Sequence, residues 1–575
     1  MTRNHKFTGV SASRGTDVVL VFPPPWSPFQ PYSSLAYLAG SLLAVGFKCI
    51  AIDASLEFYD YYLRPDILSE CDKHSTGGLE RRQHENGMPN SEVIRSAFTV
   101  KEILRGEHFY EPQARATAIN ILIRALSIAA SPFRDCVLRL DDCTGQWQTK
   151  NSEKAVQCAL SPPPNPFSRF YERKIIPLIR EQYPKILGIS IVTPAQAFPA
   201  LLLAQMVRES LPSINIVVGG PLLTASIQKR AVADHAFLKI ADHIILGEGE
   251  SALVDLSAMI LGKDHPCHSK TKHTASRSGA CTRIIRGAKE DLNSLPPPAY
   301  HILPLDRYYS PEPILTLLTS RGCYWNRCQF CDIPGIGKKH NYRMTSPETV
   351  IKHVEHAAAT TGARCFAFWD NAVPPQTLRV LSEHLVNTRK KFFWYAQIRA
   401  DRSFDAVTCG KMYEAGCRQV YMGIETASQP LLNKMNKGLR IVDIRRIATN
   451  FRRSGIIPSG GYMMGYPRET DTDVKRTLRF ICENRDILYP STRNVGVFTL
   501  RKGSLIHNRA RQEGIVVTEP TVNDLALDLE YVVTRQSSQQ RLERALDAHR
   551  FLKKRGFDGE RFGAHYLLYQ VRNER

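Results

Sequence analysis

The stretch Ile314-Leu315-Thr316-Leu317-Leu318-Thr319-Ser320-Arg321-Gly322-Cys323-Tyr324-Trp325-Asn326-Arg327-Cys328-Gln329-Phe330-Cys331 joins a short apolar run to three thiols in one loop. The run Ile314 to Thr319 has the length and composition of a buried strand. The three cysteines fall within nine residues, so a single loop can wrap a metal centre. Three thiolates on a four-iron cluster leave one iron with an open position, where a substrate can bind. Zinc held by the same cysteines with His340 as fourth ligand also suits the spacing, and burial as small hydrophobes is a third reading.

Downstream of the loop, apolar runs alternate with amphipathic stretches. Candidate strands are Cys365 to Trp369, Phe392 to Gln397, Gln419 to Gly423, Ser459 to Met464 and Asn494 to Phe498, with helices such as Ser346 to Thr360 and Ser428 to Asn436 between them. With Ile314 to Thr319 these make six βα units, a partial (β/α)6 barrel whose chemistry belongs at the strand C-terminal ends. The cysteine loop leaves the first strand at such an end. Residues 525–575 are charged and mostly helical in pattern.

Upstream, Val18 to Phe22, Phe47 to Asp53, Ile186 to Val192, Ile214 to Val218 and His243 to Leu246 read as strands of an α/β, doubly wound Rossmann-like sheet, with helices such as Ser33 to Val45 and Ala195 to Ser210. Residues 57–183 are too long for a loop and form an insertion, helical over Gln113 to Ala130 and flexible in the polar part around Cys71 to Ser91. The expected organisation is a first domain over 1–262, a polar linker over 263–300, a core over 301–524 and a helical C-terminal region over 525–575.

The 575 residues are 43% apolar and 23% charged, which suits packed domains and excludes wholesale disorder. The net charge of +21 favours an anionic partner without choosing one. The apolar stretch Leu35 to Phe47 is 13 residues, short of the roughly 20 a bilayer helix needs, and the polar start lacks a signal-peptide pattern. A cytoplasmic protein without membrane contact is expected. Fourteen cysteines there argue for metal or redox use of a subset.

With these motifs in order, the chain resembles the cobalamin-binding radical S-adenosylmethionine enzymes over about 17–260 and 296–515. Cys323, Cys328 and Cys331 match that family's cluster ligands, although C-x4-C-x2-C has one residue more than the usual C-x3-C-x2-C. Phe330 matches the aromatic that backs the adenine. By the same resemblance Asp370 in Phe368-Trp369-Asp370-Asn371 would meet the ammonium of S-adenosylmethionine, and Arg399 and Glu425 its carboxylate and ribose. Gly465-Tyr466-Pro467-Arg468-Glu469-Thr470 resembles the segment after strand five, which brings in Tyr466. Read without the family, Asp370 is a helix cap, Glu425 a surface ion pair and Arg399 a solvated charge.

The first half resembles the cobalamin domain of the same enzymes strand by strand. Pro24 and Trp26 follow the first strand, and Ser190, Gly219, Gly220, Gly247 and Glu248 stand at later strand ends, where small residues admit a large planar ring. A scaffold without any nucleotide-like ligand is the plainer alternative. Asp72-Lys73-His74-Ser75-Thr76-Gly77 spells a cobalt-histidine pattern, but in the wrong place, and His74 is not taken as a ligand.

The resemblance implies a [4Fe-4S] cluster, S-adenosyl-L-methionine and cobalamin as cofactors, an electron donor such as flavodoxin or ferredoxin, and C-methylation of an unactivated carbon of a peptide or other natural product. In that chemistry a 5′-deoxyadenosyl radical abstracts hydrogen and the substrate radical takes a methyl group from methylcobalamin. A non-methylating rearrangement or oxidative cyclisation is the alternative, and a zinc-bearing binding protein a remote one. Nothing in the sequence has the pattern of an RNA-binding motif.

Overall fold

Every side chain of Val18–Phe22 (β1) is buried, as in a parallel strand covered on both faces. The computed structural model describes residues 15–74, 88–227, 235–263, 284–333, 342–489, 495–533, 538–557, 567, 568 and 572. β1 pairs in parallel with Cys49–Asp53 (β2) on one side and Ile186–Ser190 (β3) on the other. Asn215–Gly219 (β4), His243–Leu246 (β5) and Ile284–Arg286 (β6) complete a six-stranded parallel sheet in the order β2-β1-β3-β4-β5-β6. The order reverses between β1 and β3, and a ligand crevice is expected outside the C-terminal ends of those two strands.

β6 corrects the expectation of a linker over 263–300. Its three residues sit in a polar segment and gain strand structure only by pairing with β5, a long-range contact that local composition does not carry. Residues 264–283 of that segment lie outside the described residues.

The insertion contains helices Ala54–Tyr62, Pro65–Lys73, Asn90–Arg105, Pro112–Ala130 and Ser152–Leu160. Phe58 lies 5.3 Å from both Phe167 and Phe170, and Trp147 stacks at 5.7 Å on Phe198 of the sheet-covering helix Ala197–Ser210. The insertion thus shares an aromatic core with the helix layer. The stretch expected to be flexible falls in part on 75–87, outside the described residues.

The chain divides into two units, Met1–Pro313 with Val522–Ala526, and Ile314–Thr521 with Leu527–Arg575. Residues 300–310 fold with the first unit because their polar groups are satisfied there. Tyr308 donates to Asp53 at 2.6 Å, Tyr309 N–H to Pro28 O at 3.0 Å, and Arg307 and Lys101 both pair with Asp60, at 2.7 and 3.0 Å.

In the second unit Ile314–Leu317 (β7), Cys365–Phe368 (β8), Phe393–Ile398 (β9), Cys417–Glu425 (β10), Ile457–Met464 (β11) and Val495–Val497 (β12) form a six-stranded sheet in sequence order, all parallel. β7 and β12 are its two edges, which gives a partial barrel. The C-terminal region is less helical than expected. Asp528–Leu529 pairs antiparallel with Leu500–Arg501, and Tyr531–Val533 with Ile515–Val517, before helix Ser538–Lys553. Among the described residues no helix is long and apolar enough to cross a membrane.

Candidate active site around the Cys323 loop

The loop begins where β7 ends, and a carboxylate from the next strand fixes its start. Asp370, just past β8 and 2% exposed, accepts from Thr319 N–H at 2.9 Å, Thr319 Oγ1 at 3.0 Å and Ser320 Oγ at 2.7 Å. Burial lifts its carboxyl to about 6 in spite of these donors. Asp370 therefore lies at the strand end that the sequence indicates, with its oxygens turned onto the loop's first residues.

The middle of the loop is seated on the turn that follows helix Gln429–Lys434. Gln329 N–H donates to Met435 O at 2.9 Å, and Gln329 O accepts from Ile506 N–H at 2.8 Å. Trp325 Nε1 donates to Asn436 O at 2.8 Å. The Arg399 guanidinium lies 4.1 Å from the centroid of the Trp325 ring and donates to Lys437 O. Glu425 pairs with Lys437 at 2.7 Å, and the Lys437 ammonium stands 5.5 Å from the Phe330 ring. Glu425 is left-handed (φ 67°) at a register shift in β10, which turns its side chain out of the strand's alternation. Phe330 also packs against the core that holds Tyr466, Leu431, Met435 and Phe498.

Four of the residues singled out in the second unit, Phe330, Arg399, Glu425 and Tyr466, thus gather around one loop, with Asp370 at its root. Their contacts are largely with the protein itself. Tyr466 is 4% exposed, a core residue beneath Phe330. Lys437, Trp325 and Gly438 are the participants that sequence reasoning missed. The Asn436-Lys437-Gly438 turn, with Asn436 at φ 51° and Gly438 at φ 65°, was legible as a helix stop but not as a partner of a loop a hundred residues earlier.

All three loop cysteines are free. Burial raises the Cys328 thiol and lifts Cys331 to about 12, with Lys437 and Arg399 pulling Cys328 back down. Cys323 acts on both of them, and Cys328 also raises Cys331. Among the described residues no three His, Cys, Asp or Glu side chains converge as a single ion requires; a multi-iron group spaces its ligands more widely. His340 lies outside the described residues. Two further atoms of the loop, Tyr324 Oη and Asn326 Oδ1, are buried without a hydrogen-bond partner, as expected where a polar ligand completes the site. The donor set and these orphaned atoms fit a loop that holds a cluster and a polar ligand.

After β11, Glu469 accepts from Gly465 N–H at 2.7 Å, and burial lifts its carboxyl to about 7. Arg544, from the C-terminal helix, donates to Glu469 O at 2.8 Å.

In the first unit the glycines have internal reasons. A Cβ at Gly220 (φ 116°) would meet Ile191 O at 2.4 Å, one at Gly219 would meet Ile245 O at 3.1 Å, and one at Gly247 would meet Gly287 O at 3.0 Å. Their smallness serves packing of neighbouring backbone. Glu248 accepts from Glu290 N–H at 2.8 Å. Ser190 is buried at the end of β3. Pro24 and Trp26 follow β1 at the switch point, Pro24 in a cis bond to Pro25 and Trp26 edge-on at 4.9 Å to Tyr32. Gln196 ties the two sides of that crevice, donating to Pro23 O at 2.7 Å and accepting from Val192 N–H at 2.9 Å. His74 is exposed and bonds Glu70 O at 2.8 Å at the end of helix Pro65–Lys73, an ordinary helix-end residue.

A parallel partial barrel with three thiols on the loop after its first strand defines the class, and residues 317–481 match the radical SAM superfamily. An uncharacterized methyltransferase of Pyrococcus horikoshii is 28% identical over 322 residues, 53% of this chain and 66% of that protein. The anaerobic magnesium-protoporphyrin IX monomethyl ester cyclase of Rubrivivax gelatinosus is 24% identical over 306 residues, 52% of this chain and 54% of that protein. The chain thus spans between half and two-thirds of the length of these curated relatives. Among solved structures, the radical S-adenosylmethionine methyltransferase TsrM of Kitasatospora setae, solved with cobalamin and a [4Fe-4S] cluster, is similar with a TM-score of 0.51 at 13% identity, covering 94% of this chain and 91% of that one. Residues 317–481 are thus similar to the radical SAM superfamily, and the chain as a whole shares the fold of that cobalamin-containing structure.

Proposed function

We propose that the protein is a cobalamin-dependent radical SAM methyltransferase that acts on an unactivated carbon of a peptide or other natural-product substrate. The observation that carries this reading is the Cys323-Cys328-Cys331 loop leaving the first barrel strand, rooted by Asp370 and backed by Lys437, Arg399 and Phe330. Cys323, Cys328 and Cys331 would hold the cluster. When bound, the cluster and S-adenosyl-L-methionine would supply one-electron cleavage of a sulfonium, and the corrinoid a transferable methyl group.

The chain's own part is placement. Lys437 and Arg399 put positive charge beside thiols that must become thiolates to bind metal, which favours ligation in a buried setting. Phe330 offers an apolar face for a nucleoside base, and the unsatisfied Tyr324 and Asn326 atoms offer polar contacts. The switch point between β1 and β3, lined by Pro24, Trp26 and Ser190, is the place for the corrinoid. Gly219, Gly220, Gly247 and Glu248 shape the neighbouring strand ends rather than project into that crevice.

Anaerobic reconstitution should give about four irons and four sulfides and one corrinoid per chain, the composition the proposed cofactors require. Turnover should yield S-adenosylhomocysteine alongside 5′-deoxyadenosine. Cys328→Ala should abolish the iron while leaving the corrinoid bound. A chain that takes up one zinc and no iron under these conditions overturns the reading. The similarity to a cyclase supports a second reading, oxidative cyclisation or rearrangement without methyl transfer. Formation of 5′-deoxyadenosine without S-adenosylhomocysteine would select it.

A further inference from the structure

The C-x4-C spacing asks where the additional residue goes. Left loose in solvent, it would let the first two thiols drift relative to each other. The structure instead turns the chain at Asn326, a left-handed residue of the loop (φ 45°), and buries one face of its neighbour Trp325. Four contacts hold that indole. Its Nε1 donates to Asn436 O at 2.8 Å, the Arg399 guanidinium stacks at 4.1 Å, Arg327 approaches at 5.2 Å, and the ring lies over Gly438. A Cβ on Gly438 would fall 2.0 Å from Trp325 Cζ2, so only glycine leaves room for the indole. Arg327 belongs to the loop itself, Arg399 follows β9, and Asn436 and Gly438 share the turn after the helix that follows β10.

We propose that Trp325 is a positioning residue that seats the expanded cysteine loop, and that Arg399 and Gly438 form its socket. This rests on the reading of the loop as a cluster loop. It assigns Arg399 a task within the protein, supporting the indole, that is separate from any contact with a nucleoside. It also gives Gly438 a reason for lacking a side chain beyond its positive φ.

The test compares Trp325→Ala, Trp325→Phe, Gly438→Ala and the double variant Trp325→Ala/Gly438→Ala in the full chain. In metal-free protein, iodoacetamide labelling of Cys323, Cys328 and Cys331 is followed by peptide mass spectrometry. After anaerobic reconstitution, iron content and the electron paramagnetic resonance spectrum of the reduced cluster are read. Trp325→Ala should speed labelling of the loop thiols about fivefold, the factor implied by losing one hydrogen bond, and should shift the cluster spectrum. Trp325→Phe keeps the stack and should lie nearer to wild type. Gly438→Ala should mimic Trp325→Ala, and the double variant should be worse than Trp325→Ala only by the small backbone strain of an alanine at φ 65°, since without the indole the methyl group has nothing to strike. Wild-type labelling rates and spectrum in Trp325→Ala would overturn the proposal, even if Gly438→Ala fails to fold. If wild type takes up no cluster, the functional reading fails while the labelling rates still decide the socket.

Discussion

Asp370 illustrates how far a residue-level reading carries. Its position at a strand end was visible in the sequence, because Cys365 to Trp369 is a plain apolar run with an acidic residue behind it. Its partners were not, because Thr319 and Ser320 meet it only across a parallel strand pair whose register no local pattern encodes. Removing the carboxylate leaves three buried donors at the root of the loop. Asp370→Ala should therefore destabilise the protein by about 3 kcal/mol, the cost of stranding buried polar groups, and lower its iron uptake. Asp370→Asn, which keeps one acceptor oxygen, should cost less. Equal urea midpoints for wild type and Asp370→Ala would refute the clamp. The same limit applies to Lys437, buried between Glu425 and the Phe330 ring, whose role depends on a bulge no sequence pattern announces.

At the level of elements, the strands of both sheets were legible because parallel strands are buried on both faces and read as unbroken apolar runs. The elements that escaped are those whose structure comes from a partner. β6 is such a strand, and its following residue shows how tightly it is fitted. A Cβ on Gly287 would lie 1.8 Å from Glu248 O, so Gly287→Ala should destabilise the first unit by roughly 2 kcal/mol through overpacking, seen as a lowered denaturant midpoint. The C-terminal helix Ser538–Lys553 was readable, but not its attachment through Arg544 to the loop after β11. The buried Glu469 carboxyl itself carries a pH signature. Glu469 titrates at about 7 in the folded chain against an ordinary 4.5, with burial as the main cause. The folded state keeps a proton that the unfolded state has released, so this group's contribution is complete below pH 4.5 and disappears as pH rises through 7. Glu469→Gln should flatten that decline, gaining on the order of 3 kcal/mol relative to wild type between pH 4.5 and 8. Parallel stability curves for the two proteins would show that the carboxyl is not held protonated.

For the whole molecule, composition and motif order identified two α/β units, while the sequence could not show that the units are interleaved along the chain. Val522–Ala526 belongs to the first unit although residues on both sides of it belong to the second. Asp524 accepts from Ser152 N–H at 2.8 Å and pairs with buried His235 at 3.6 Å, and Leu525 N–H donates to Lys150 O at 2.9 Å. Asp524→Ala should cost about 1 to 2 kcal/mol from the lost charged acceptor, read as a lower thermal midpoint in the full chain; an unchanged midpoint would show the segment to be loosely attached. The interleaving also bears on how the protein is born. A ribosome delivers residues in order, and the N-terminal unit of a chain ordinarily finishes first. Here its final piece emerges only after all six strands of the later sheet have been synthesised. The earlier unit must therefore wait, incomplete, with the surface around Ser152 and His235 uncovered, until residues 522–526 have been made.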